Sequence, residues 1–218
     1  MTATETRQWH DDITINGQPY YTRHPVPDHG PNSDAYLHTL THQQRDHLRA
    51  IHETAHAITA LATGAHLHYA QVTTTNLLTN TPLTDTGTLG GTTRICNTQD
   101  GRSFAAYLGA GERAEDRWLR QNNLWTPLLA AGIELGAYGD RQTLLAANPH
   151  IRFGIDHNDY TVVHDLADQI ITTHWDAITR IAGVLKARLH LTGDEIAGLA
   201  GLTNGTHTCD YTPEGNRR

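Results

Sequence analysis

The chain has 218 residues, 38% of them hydrophobic, with 16 Lys and Arg against 23 Asp and Glu and a formal net charge of -7. This is enough apolar chain for one core-bearing domain, and with Lys186 as the only lysine there is no basic footprint for nucleic acid or an anionic membrane. The opening residues are polar, and no run of about 18 apolar residues could span a bilayer, so the expected location is cytoplasmic.

Residues 1–40 are polar and rich in turn formers, and read as a flexible extension lying over the domain, pinned by Tyr20, Tyr21, Tyr36 and Leu37. Its His24, His29 and His38 read as solvated loop histidines. Residues 41–63 then form an amphipathic helix. Thr41 and Gln44 have capping-box spacing, Leu48, Ile51, Ala55, Ile58 and Ala62 recur along one face, and Gly64 supplies the stop.

Inside this helix stands His52-Glu53-Thr54-Ala55-His56, an HExxH sequence. Four residues make about one turn, so both imidazoles leave the same face and can grip one metal ion, with Glu53 a step round the cylinder. Neutral imidazole is a good zinc ligand, and zinc lowers the pKa of water to roughly 7, where a neighbouring carboxylate can take its proton. A chain with 16 His can also produce such a spacing by chance, and a third ligand is what separates the two readings.

Residues 66–75 alternate apolar and polar types and predict a strand; residues 88–96 predict a second extended segment containing Gly90 and Gly91. Those glycines either line a groove where a peptide adds as an extra strand or mark a simple bend. The next helix, 104–121, carries Gly109 and Gly111, which permit close approach of a neighbouring helix, and Glu115 on the inner stripe. Glu115 is a candidate third ligand, a candidate acceptor that orients a ligand imidazole, or a surface partner of Arg113 or Arg117. Thr126-Pro127 opens a short helix at 128–135, and Asp140 precedes another at 141–147, where it would be a favoured N-cap. The longest helix is expected at 160–189, with His164, His174 and His190 on polar or boundary faces. Thr192 and Glu195 form a second capping box, and 204–218 lacks periodicity and reads as a disordered tail. Cys96 and Cys209 have no CxxC spacing and read as ordinary thiols. The expected fold is α+β and mostly α-helical, with a small β-hairpin or sheet after the HExxH helix and a helical C-terminal part, the domain spanning 41–203.

Taken in order, IHETAHA, GTLGGTT, LGAGERAED and GAYGD, followed by a long helix and LTGDEI, resemble the peptidase domain of the FtsH-type ATP-dependent zinc proteases. That family shows HEAGHA, a hairpin, a glycine-rich helix ending in a RAAEE-like stretch, a GASND segment and an LDGEEI-type turn. The resemblance covers roughly residues 48–199. It implies a zincin-like peptidase fold in which zinc is held by His52, His56 and Asp140, since the aspartate of the GASND segment is the family's third ligand. Glu115, Asp156 and Asp159 remain the other candidates. No GxxxxGK[ST] loop is present, and the family's membrane segment is missing, so the motor is absent.

The expected function is that of a zinc metalloendopeptidase in which Glu53 is the general base and Tyr138 a candidate oxyanion partner. Its substrate would be a flexible peptide or unfolded protein, delivered where needed by a separate ATPase. The alternative is a catalytically silent, zinc-stabilised module that binds peptides; a helical protein with a coincidental motif would hold no metal.

Overall fold

The capping box at Thr41 is complete, with Gln44 N–H donating to Thr41 Oγ1 and Thr41 N–H to Gln44 Oε1. It starts α1 (His42–Ala62), which ends where Gly64 turns the chain at φ +84°. The structure, a computed structural model, describes residues 9–26, 36–73, 75–76, 81–82, 90–96, 100–154 and 159–211.

Side-chain caps also start α2 (Gly101–Gln121), at Asp100, α3 (Pro127–Gly136), at Thr126, and α6 (Gly193–Ala200), at the second capping box, whereas α4 (Tyr138–Ala147) and α5 (Thr161–Arg188) begin without one. Helices α1, α2 and α5 pack against one another. Their common core includes Ile51 and Ile58 of α1, Ala110 and Leu119 of α2, and Ile171, Ile178 and Leu185 of α5. Each such large aliphatic side chain contributes roughly 1.5–3 kcal/mol by leaving water.

The strands form small antiparallel sheets. β1 (His10–Ile15) pairs with β2 (Gln18–Thr22), and the short β4 (Thr75–Asn76) with β5 (Thr81–Pro82). The third sheet has the order β6 (Gly91–Ile95), β3 (Leu67–Val72), β7 (His190–Thr192), with Val72 opposite Gly91 and Tyr69 opposite Thr192. The inner face of β3 places Leu67, Ala70 and Val72 in the helical core. The fold is thus α+β and mostly helical. No helix among the described residues is long and apolar enough to cross a membrane.

Three expectations need correcting. First, the segment before Leu40 contributes a packed hairpin. Asn16 and Gly17, at φ 52° and 78°, make the tight left-handed turn that joins β1 to β2, and Ile13, Tyr20 and Tyr36 share a core with Ala131 and Leu135 of α3. Second, Asn204 clamps the backbone of Leu67, accepting its N–H at 2.8 Å and donating to its carbonyl at 3.0 Å, so residues 204–211 lie against β3 where a tail was expected. Residues 212–218 fall outside the described set. Third, His164 of α5 is 2% exposed, buried beside Glu112 and not on a boundary face.

Candidate metal centre

Helix α1 delivers His52 and His56 to one side, and the first turn of α4 brings Asp140 against them. His52 Nε2 is 3.0 Å from His56 Nε2, and Asp140 Oδ2 lies 3.3 Å from the first and 3.4 Å from the second. The N-cap role open to Asp140 is not taken up: α4 begins at Tyr138, with no side-chain cap. The carboxylate faces the imidazoles instead.

The other nitrogen of each ring is already committed. His56 Nδ1 donates to the carbonyl of Tyr107 at 2.6 Å, and His52 Nδ1 to Glu115 Oε2 at 3.1 Å. Both Nε2 atoms therefore present lone pairs toward a carboxylate oxygen. Three acceptors pointed at one another repel unless a cation or a proton lies among them. Metal–ligand distances of about 2.0–2.2 Å in a tetrahedral site place neighbouring ligand atoms about 3.3–3.6 Å apart; both Asp140 separations fall in that range, and the two ring nitrogens stand slightly closer. The donor set fits a divalent metal, and among the described residues His52, His56 and Asp140 form a group able to hold one.

The electrostatics agree with that geometry. Burial alone would lower the His52 pKa, but Glu115 and Asp140 outweigh it and hold the imidazole well above its ordinary value. Asp140 is held below the usual carboxylate range because His56 and His52 outweigh its desolvation.

Close approach of backbone makes the arrangement possible. A Cβ on Gly111 of α2 would sit 2.4 Å from His52 Nε2, so only glycine lets α2 pass beside that ring. A Cβ on Gly109, on the same helix, would sit 2.8 Å from the Val163 side chain of α5. The two glycines thus serve different neighbours, one the metal helix and the other the long helix.

Glu53 is 6% exposed and accepts a hydrogen bond from Thr93 Oγ1 at 2.8 Å. Burial raises its pKa, against the lowering influence of His52, His56 and Thr93. A Cβ on Gly91 would lie 2.2 Å from Glu53 Oε1, so β6 runs directly over this carboxylate. Glu53, the two histidines, Asp140, Gly90, Gly91 and Tyr138 border one cleft of about 590 Å³.

Of the other candidates, Glu115 is the orienting acceptor for His52. Asp159 is engaged elsewhere, accepting from the N–H groups of Gly154 and Thr161 and from Trp9 Nε1. Asp156 lies outside the described residues, as do His29 and the first part of the expected 88–96 strand. Tyr107 and Thr93 were not legible as site residues: one acts through its carbonyl, the other through a hydroxyl in a threonine-rich strand, and neither leaves a spacing signal. No family model matches the chain, and a search of curated proteins finds no match.

Proposed function

We propose that the chain is a zinc metallopeptidase that cleaves flexible or unfolded polypeptides, as its resemblance to the FtsH-type peptidase domain implies. The observation that carries this reading is the convergence of His52, His56 and Asp140 in one cleft with Glu53. A module that only bound metal would have no use for a buried carboxylate beside the ligands.

His52, His56 and Asp140 would hold the zinc, which when bound would supply Lewis acidity to a carbonyl and lower the pKa of water to roughly 7. Glu53, its pKa raised by burial, is suited to take a proton from water and then release it to the departing amide nitrogen. Thr93 fixes one oxygen of that carboxylate and leaves Oε1 for the proton. The extended backbone at Gly90 and Gly91 borders the cleft without side chains, so a peptide can lie alongside β6 as an added strand. Tyr138 borders the same cleft and is the candidate to hydrogen-bond the developing oxyanion. With no ATPase in this sequence, folded substrates would need unfolding by another protein.

The test is Glu53→Gln, assayed on an internally quenched unfolded polypeptide with zinc measured in parallel. The variant should keep its metal and lose hydrolysis by a factor of roughly 10² or more. Equal turnover by wild type and variant would end the assignment; binding of the polypeptide by wild type without cleavage would favour the silent peptide-binding module.

A further inference from the structure

We propose that His68, Cys96, His207 and Cys209 form a second metal site, a structural Cys2His2 zinc centre that bolts the C-terminal segment to the sheet beside the cleft. The four residues come from three separated places: β3, the residue after β6, and the segment following α6. Even so, their ligand atoms all lie within 4.8 Å of one another. His68 Nε2 is 3.2 Å from Cys209 Sγ and 3.3 Å from Cys96 Sγ. Zn–S and Zn–N distances of about 2.3 and 2.0–2.1 Å give a tetrahedral edge of about 3.5 Å, close to both values.

The surroundings favour ligation over chance packing of polar residues. His207 Nε2 donates to the Tyr211 carbonyl at 3.1 Å, which fixes the tautomer and leaves Nδ1 with a free lone pair. The neighbouring His66 donates its Nδ1 proton to the Gly205 carbonyl at 2.8 Å and holds that loop in place, and it stands outside the group of four whose ligand atoms converge. Two soft thiols and two imidazoles select zinc over hard cations such as calcium or magnesium. Each Cys binds as thiolate, releasing its proton to solvent.

The site would close a span of 141 residues between His68 and Cys209, and Cys96 directly succeeds the strand that carries Gly91 and Thr93. All four positions are filled by protein, so this is a closed, structural site, unlike the three-ligand centre of α1 and α4.

The test is a cobalt titration of metal-free, reduced protein, read by absorption. Thiolate-to-cobalt charge transfer arises only where sulfur binds the metal, so the His52, His56 and Asp140 centre is silent in this band. The band should grow to saturation within two equivalents in wild type and at one equivalent in His56→Ala, where a single centre remains, and should lose much of its intensity in Cys209→Ser. His207→Ala keeps both thiols and should retain the band while binding cobalt more than about tenfold more weakly. The proposal is overturned by a wild type with both thiols free and no charge-transfer band, by a band of undiminished intensity in Cys209→Ser, by unchanged cobalt affinity in His207→Ala, or by a Cys96–Cys209 disulfide in protein purified with zinc and reductant.

Discussion

Arg141 and Glu112 form an ion pair in the protein interior, 0% and 2% exposed, with Nη2 and Oε2 2.6 Å apart. His164 donates to the other oxygen of Glu112 at 2.7 Å, and Arg141 Nη1 donates to the Tyr21 carbonyl at 2.6 Å. Arg141 is the residue after Asp140, so this buried network sets where the first turn of α4 stands and where the Asp140 carboxylate points.

Breaking the pair on one side leaves an uncompensated buried charge. Glu112→Gln should cost about 3–5 kcal/mol in denaturant unfolding. It should also weaken zinc binding at a distance, because Asp140 loses its anchor. A variant as stable as wild type would show that the pair contributes nothing beyond packing.

The same carboxylate predicts the acid response. Despite the penalty of burial, Arg141 and His164 lower the Glu112 pKa from 4.5 to about 2. A depressed carboxyl pKa contributes stability that is present above the unfolded value and is lost as pH falls from about 4.5 to about 2. Stability measured across that window should fall in wild type, and this part of the fall should be missing in Glu112→Gln.

Glu134 of α3 behaves in the opposite sense. Burial raises its pKa from 4.5 to about 7, although it accepts the Arg23 N–H at 2.7 Å. A raised carboxyl pKa favours the folded state at low pH and withdraws that advantage as pH climbs through about 7. Glu134→Gln retains an acceptor for Arg23 and removes the charge. It should therefore be more stable than wild type at pH 8 by up to roughly 3 kcal/mol, with the difference closing near pH 4. Parallel denaturation curves at the two pH values check this.

The glycines of α2 separate metal binding from packing. Gly111→Ala drives a methyl group into the His52 ring and should abolish zinc binding at the first centre. Gly109→Ala meets the Val163 side chain and should cost about 1–3 kcal/mol of stability while leaving zinc content intact. Equal zinc content in the two variants would contradict the geometry.

Glu115→Gln tests the orienting acceptor. Its carboxylate holds the His52 Nδ1 proton, and an amide oxygen does this more weakly, so zinc affinity should fall by roughly 10- to 100-fold without loss of fold. Competition with a chromophoric chelator measures the change.

What the sequence made legible was local. Thr41 with Gln44 and Thr192 with Glu195 announced two helix starts, and the i, i+4 histidines announced a shared face. Asp140 came from the order of motifs along the chain, since its only local signal pointed to a cap. The hairpin at Asn16-Gly17 carried a readable turn dipeptide, obscured by the prolines around it. His164 read as polar because a buried histidine is identified only by its partner Glu112, 52 residues earlier. The cysteines had no motif spacing because Cys96 and Cys209 meet His68 only through the pairing of β3 with β6 and the docking of residues 204–211 on β3.

The hydrogen bond from Trp9 to Asp159 joins residues 150 positions apart. During synthesis, at about 5–20 residues per second, an N-terminal segment waits on the order of ten seconds or more before that partner has been made. For that interval Trp9 lacks its acceptor and Tyr21 lacks Arg141. The first hairpin translated thus waits for α3 and α4 before it can dock, so a ribosome-bound chain cut short before α3 would leave it open to protease while α1 is already complete.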